Sequence, residues 1–282
     1  MQLLPLKEAI AAHVRDGTSV ALEGFTHLIP FAAGHEIIRQ GRRDLHLIRM
    51  TPDLIYDQLI GMGCASHLTF SWGGNPGVGS LHRLRDAVEH GWPRPLALTE
   101  YTHAELALGY QAGASGMSCA LMPHHADTDL DLLAVAHRRT LPCPFTGQPL
   151  TAVAAVRPDV TILHAQQIDA EGNVLIRGIV GAAREAALAA ERVLVTVEER
   201  VARLAADMNA LVLPAWLITA ASVVPGGAYP SYAQGYYARD NRFYLAWDEI
   251  ARERAAFSEW MARHVLAAAD HAALLRTLGV AA

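Results

Sequence analysis

The stretch Thr99-Glu100-Tyr101-Thr102-His103-Ala104-Glu105 carries two carboxylates and an imidazole on neighbouring positions. Groups of these types suit general acid–base chemistry, because an imidazole changes charge near neutral pH. Thr102 and Glu105 have a simpler reading, since a threonine followed three residues later by glutamate is the capping box that opens a helix. Glu100 and His103 are then the candidate catalytic pair.

A second candidate is SWGGNPGVGSLHRLR, residues 71–85, in which Ser71, Gly74, Asn75, Gly77, Val78 and Gly79 form a glycine-rich loop. A strand-like run over 67–72 precedes it, and Leu81, Leu84 and Val88 recur behind it at helical spacing, with Ser80 as the expected N-cap. Glycines remove the Cβ that blocks close approach, and N–H groups at a strand-to-helix turn hold anions. The standard nucleotide devices are absent: His82 stands where a dinucleotide fingerprint has its third glycine, and no Gly-Lys-Ser/Thr follows. The loop therefore reads as a backbone contact to a substrate or partner.

No metal site is expected. His35-Glu36 leads to Arg39 where a zinc helix has its second histidine, and His124-His125 with Asp127 and Asp129 lacks a fixed third ligand. Cys64, Cys119 and Cys143 have no C-x-x-C spacing and read as core residues of a protein from a reducing compartment. Glu198 and Glu199 follow a strand over 193–197, where chemistry and a solvated turn are both open readings. Tyr229, Tyr232, Tyr236 and Tyr237 with three nearby glycines suggest a binding or subunit surface, or else a loop folded over its own core.

The elements that must position these groups alternate. Strand patterns over 18–25, 45–50, 67–72 and 96–99 are each followed by a helical pattern, and proline stands at the start of the helix over 30–40. This implies an α/β fold, an open, mostly parallel sheet with helices on both faces. Residues 122–150 read as a long irregular connection, 160–168 as a strand, 169–173 as a hairpin turn, 182–190 as a helix, and 241–278 as closing helical segments. With no repeat and no linker, residues 1–282 are expected to form one domain with a C-terminal helical segment.

The chain has 282 residues, is 52% hydrophobic and carries a net charge of -5, so nucleic acid and an anionic membrane are not expected partners. The first residues lack the basic region and apolar core of a secretory signal, and a cytoplasmic location is expected.

Asp16-Gly17-Thr-Ser-Val-Ala-Leu-Glu23-Gly24-Phe25 resembles the signature of the family I CoA-transferases, an Asp-Gly followed by a strand ending in Gly-Gly-Phe. The segments SWGGNPGVGSLHRLRDA, EAALAAERVLVTVEE and VPGGAYPSYAQGYYARDNRFY are similar to the alpha subunit of glutaconate CoA-transferase and its relatives, and the likeness spans nearly the whole chain. It implies an alpha subunit that needs a homologous beta subunit, coenzyme A as substrate rather than a bound cofactor, and transfer of CoA between an acyl-CoA and a carboxylic or dicarboxylic acid. In this branch the nucleophilic glutamate belongs to the beta subunit, and no Ser-Glu-Asn-Gly motif occurs here. The resemblance gives the alpha chain a share in recognition, through the glycine loop with Ser71 foremost, and through Gly24 and Phe25. It matches Glu100 and His103 to a carboxylate and a polar residue after the fourth strand, which keeps open a CoA-ester hydrolase or a ring-cleaving, carbon–carbon-cleaving enzyme on the same scaffold with Glu100 or Glu105 as base. A non-catalytic partner of a beta chain is the third reading. Glu23 departs from the signature, which has glycine there.

Overall fold

A computed structural model describes residues 1–75, 78–124 and 136–280. In chain order the strands are β1 (Gln2–Leu3), β2 (Ser19–Leu22), β3 (Leu45–Ile48), β4 (Ala65–Phe70), β5 (Ala97–Glu100), β6 (Cys119–Pro123), β7 (Arg138–Pro142), β8 (Pro149–Ala154), β9 (Val160–Ile168), β10 (Val174–Ile176), β11 (Arg192–Arg200), β12 (Leu211–Leu213) and β13 (Ala220–Val223). The α-helices are α1 (Leu6–His13), α2 (Phe31–Arg39), α3 (Leu54–Gly61), α4 (His82–His90), α5 (His103–Ala114), α6 (Ala183–Ala189), α7 (Asn241–Arg252), α8 (Arg254–Trp260) and α9 (His271–Thr277).

Among the described residues the main sheet runs β1-β13-β11-β9-β2-β3-β4-β5, every neighbouring pair parallel. An antiparallel extension, β10 with β12, attaches to the far end of β9. Parallel strands joined by crossover helices are covered on both faces, so they read as near-continuous apolar runs. β2 shows this residue by residue. Val20 and Leu22 enter the core shared with α1, α2, α3, α7 and α8, while Ala21 faces the opposite core with Leu106 and Tyr110 of α5 and Ala186 of α6.

Three local expectations change. The stretch over 122–150 is not merely an irregular connection: it holds β7 and parts of β6 and β8, and β6, β8 and β7 pair antiparallel into a separate three-stranded sheet. His124 bonds Thr151 at 3.0 Å, while His125, Asp127 and Asp129 lie outside the described residues. Ser80 is not the cap of α4. The helix begins at His82, and Asp57 of α3 accepts from the backbone N–H groups of Arg83 (2.8 Å) and Leu84 (2.9 Å), so a tertiary carboxylate satisfies the exposed donors of the first turn. The cysteines do not all belong to the core, since only Cys64 is buried and Cys119 is exposed. No helix among the described residues is long and apolar enough to cross a membrane.

Candidate active site

Open parallel sheets bind ligands beyond the carboxyl ends of their strands. At that end of β2 and β3 lies a cavity of about 590 Å³. Glu23 and Phe25 follow β2 into it, Met50 and Thr51 follow β3, and the first turns of α5 contribute His103, Ala107 and Leu108. Ile179, Gly181 and Glu185, before and within α6, close the far side. A mostly apolar lining with a few convergent polar groups is the usual character of a small-molecule site.

The segment leaving β2 is tightly constrained. Thr26 and Leu28 sit at φ 58° and 52°, the left-handed region that side chains normally avoid. A Cβ on Gly24 would stand 2.7 Å from the Leu28 carbonyl oxygen, so glycine is required there by the chain's own turn. Non-glycine residues held in this region cluster at functional sites, where the surrounding structure over-determines them.

Beneath the cavity, Arg49 pairs with Asp53 through two bonds of 3.1 Å each, and both side chains are buried. Arg49 also donates to the Gly24 carbonyl, fastening the end of β3 to the β2 turn. Tyr56 completes the seam, donating to the Ile48 carbonyl at 2.8 Å and accepting from the Leu22 N–H at 3.0 Å. Glu23 joins this group from above. It is 5% exposed, and its Oε1 accepts from the Tyr110 hydroxyl at 2.9 Å. Burial pushes its carboxyl above the usual glutamate range, opposed by Arg49 and by the Tyr110 hydrogen bond.

Glu100 and His103, three positions apart, face different spaces. His103 lines the cavity with Glu23 and Phe25. Glu100, at the end of β5, opens onto a second cavity of about 480 Å³ beside the stacked imidazoles of His46 and His67, whose centroids are 4.0 Å apart. Glu105 is the cap residue that its spacing suggests: Thr102 accepts from its N–H at 3.1 Å, and its Oε2 accepts from the Thr102 N–H at 2.7 Å. Its other oxygen accepts from Arg138 at 3.0 Å, so both oxygens of this candidate base are engaged.

In the glycine loop the N–H groups of Ser71 and Trp72 both bond the Met50 carbonyl, Gly74 bonds Pro52, Asn75 bonds Gly79, and Val78 bonds Asn75. These donors are spent within the chain. The Ser71 hydroxyl donates to the Met50 carbonyl at 2.8 Å and keeps only its lone pairs for anything else. Gly74 packs on the Trp72 ring and Gly79 on Asp248 of α7, while Gly77 lies outside the described residues. The described residues of the loop thus sit against the segment that carries Met50 and Thr51 and are not among the residues lining the cavity.

Glu198 lies inside β11 instead of after it and is buried. It takes hydrogen bonds from Tyr237 and Gly226 and contacts His164 Nε2 at 2.6 Å. Tyr236 bonds Glu199 at 2.6 Å, and Tyr229 bonds Asp240 at 2.6 Å. Tyr229 and Tyr237 thus fasten the tyrosine-rich stretch to the chain's own core, while Gln234, Gly235 and Tyr236 remain exposed. No group of three or more potential metal ligands occurs among the described residues.

Against known proteins, residues 4–221 match the family model described as Coenzyme A transferase. The chain is 60% identical over 269 residues to the A subunit of 3-oxoadipate CoA-transferase from Pseudomonas knackmussii, covering 95% of each chain. It is 30% identical to the A subunit of glutaconate CoA-transferase from Acidaminococcus fermentans, over 99% of this chain and 92% of that one. The crystal structure of the A. fermentans enzyme superposes with a TM-score of 0.90 at 28% identity, covering 99% of this chain and 93% of the other. A variant of the decarboxylase AibA/AibB gives a TM-score of 0.77 at 31% identity, covering 93% and 98%.

Proposed function

This chain belongs to the coenzyme A transferase family, and from that premise we propose that it is the alpha subunit of a heteromeric enzyme that moves CoA from an acyl-CoA to a 3-oxo dicarboxylic acid. The observation that carries the reading is the 60% identity, across 95% of both chains, to a protein named for 3-oxoadipate. The cavity supports it, because its size and mostly apolar lining suit an acyl chain with a polar substituent.

The reaction needs a carboxylate nucleophile, and the resemblance assigns it to a homologous beta subunit. That carboxylate attacks the thioester carbonyl and the C–S bond breaks, releasing CoA thiolate and leaving an acyl anhydride. The thiolate attacks the enzyme's own carbonyl carbon in the anhydride, expelling the donor acid as carboxylate and forming an enzyme thioester. The acceptor carboxylate then reverses the sequence, and thioester energy is conserved because water takes no part. The alpha chain's share is to hold the acyl group. We assign Glu23, Phe25 and His103 to the cavity wall, Glu100 to the neighbouring cavity beside His46 and His67, and the glycine loop with Ser71 and Asn75 to support of the Met50–Thr51 segment of that wall.

A hydrolase with Glu105 as base is disfavoured, since that carboxylate is committed to the helix cap and to Arg138. The test is an assay of the complex co-expressed with a beta-type chain, given 3-oxoadipate and a panel of short acyl-CoA donors. Formation of the 3-oxoacyl-CoA matched by release of the donor acid supports transfer. Free CoA without a new thioester, or release of carbon dioxide, in place of transfer overturns it.

A further inference from the structure

Glu23 is a buried carboxyl on the wall of the cavity, and among the described residues a single side chain hydrogen-bonds it. A carboxylate removed from water needs a counter-charge and hydrogen-bond donors. The nearby cation is Arg49, whose Nη1 and Nη2 are bonded to Asp53 and to the Gly24 carbonyl while its Nε has no partner among the described residues. The side-chain group that reaches Glu23 directly is the Tyr110 hydroxyl, a donor.

Burial raises the pKa of the Glu23 carboxyl against the opposing pull of Arg49 and Tyr110, and a carboxyl in its protonated form carries one O–H of its own. The Tyr110 hydroxyl donates its hydrogen bond to Glu23, so in this contact it is not the acceptor for that O–H. The other groups facing the same space are Phe25, Met50, Ala107, Leu108, Ile179 and Ala182, which offer no side-chain oxygen or nitrogen. Thr51, His103, Gln111 and Glu185 supply the remaining polarity of the lining, and among the described residues the side-chain partner of Glu23 is Tyr110 instead of any of these four.

We propose that Glu23 holds a proton when substrate is bound and determines acyl specificity by donating a hydrogen bond from its carboxyl to an oxygen carried on the substrate's acyl chain, the ketone oxygen of a 3-oxo acid. This rests on the CoA-transfer reading above and adds to it the residue that selects the substrate. The Tyr110 hydroxyl fixes the carboxyl's orientation from within the core, and the apolar residues hold the methylene chain. A site built to hydrogen-bond a substrate oxygen discriminates strongly against the analogue that lacks it, because its buried polar group is then left unpaired.

The experiment compares the wild-type alpha–beta complex with E23Q and E23A, measuring kcat/KM for 3-oxoadipate and for adipate, its counterpart without the ketone. Thermal unfolding of each complex is recorded beside the kinetics. In the wild type 3-oxoadipate should be preferred, and E23A should shrink that preference by about 10- to 100-fold, mainly by lowering the rate for the oxo acid. E23Q is close to isosteric and keeps an N–H donor, so it should retain most of the preference.

Equal losses for both acids in E23A overturn the proposal and make Glu23 structural. A wild type indifferent to the ketone overturns it as well, as does an E23Q variant that loses the preference as completely as E23A. The wild-type complex reports separately on the parent reading. If it transfers CoA to neither acid while remaining folded, the transferase assignment fails, whereas transfer to both without discrimination removes only the role of Glu23.

Discussion

The Tyr110 hydroxyl of α5 meets Glu23 Oε1, at the end of β2, at 2.9 Å in a fully buried contact that spans 87 positions of sequence. It ties the helix forming one wall of the cavity to the strand that delivers the carboxyl. Replacing Tyr110 by phenylalanine keeps the ring in the core and removes only this bond. Y110F should lower stability by about 1–2 kcal/mol, the usual cost of leaving a buried polar group without its partner. KM for the acceptor acid should rise more than kcat falls, because the loosened carboxyl still reaches the substrate. Thermal melts and steady-state kinetics check both, and an unchanged KM would separate Tyr110 from the site.

Gly79 is held by the chain itself. Its φ is +114°, and a Cβ there would lie 2.3 Å from Asp248 Oδ1. Asp248 accepts from His82 at 2.9 Å, from Arg252 at 2.9 Å and from the Ser80 N–H at 3.3 Å, so the intrusion falls on the joint between the glycine loop and α7. Gly79→Ala should destabilise the protein by roughly 2–3 kcal/mol, combining a disfavoured backbone conformation with a displaced ion pair. The lost stability should exceed any loss in kcat. A large fall in kcat with an unchanged melting temperature would instead give the loop a direct role in substrate contact.

The parallel sheet was legible because buried strands and amphipathic helices alternate with little interruption, and the capping box at Thr102 and Glu105 because both partners lie within one turn. What escaped depends on contacts between distant residues. The start of α4 is satisfied by Asp57, far from the nearby Ser80 that local spacing favours. In β6, Ala120 and Met122 are buried while Cys119 and Leu121 are exposed, yet all four are apolar, so the period of two that marks a half-buried strand is invisible. Glu23 was visible as an odd residue at a strand end. Its burial and its partner were not, because they are supplied by a helix that arrives much later in the chain.

Asp57 makes a prediction with a definite sign. Its Oδ1 accepts the Arg83 and Leu84 N–H groups, while its buried Oδ2 has no partner among the described residues. Burial pushes the carboxyl up from 3.8 to about 6, against the opposing pull of the two N–H groups. An acid whose folded pKa lies above its unfolded value is protonated more readily in the folded state, so its contribution to stability is lost as pH rises from about 4 to about 6. D57N keeps an acceptor for the helix N–H groups and carries no charge. It should raise stability at pH 7 by on the order of 1–2 kcal/mol and flatten the pH dependence across that window. Melts from pH 4 to pH 8 read this directly, and a variant less stable than wild type at pH 7 would show that the charge is needed at the start of α4.

Glu198 carries the opposite sign. Burial works against its charge, yet the contact with His164 and the hydrogen bonds from Tyr237 and the Gly226 N–H hold its carboxyl below the usual glutamate range. A carboxylate with a depressed folded pKa stabilises the fold above its unfolded pKa, and that stability is lost as pH falls through the folded value. The site joins β9 and β11 to the loop over 224–237, so the loss should appear first as loosening of that loop. In E198Q the side-chain amide meets the Gly226 N–H donor with a second donor wherever its nitrogen faces that group, and about 2–4 kcal/mol of stability should disappear near neutral pH. Amide hydrogen exchange at Gly226 and Ala228 should quicken in the variant at pH 7 and in the wild type only below the glutamate range. Exchange that is unaltered by E198Q would place the anchor of the tyrosine loop elsewhere, in the Tyr229–Asp240 and Tyr236–Glu199 bonds.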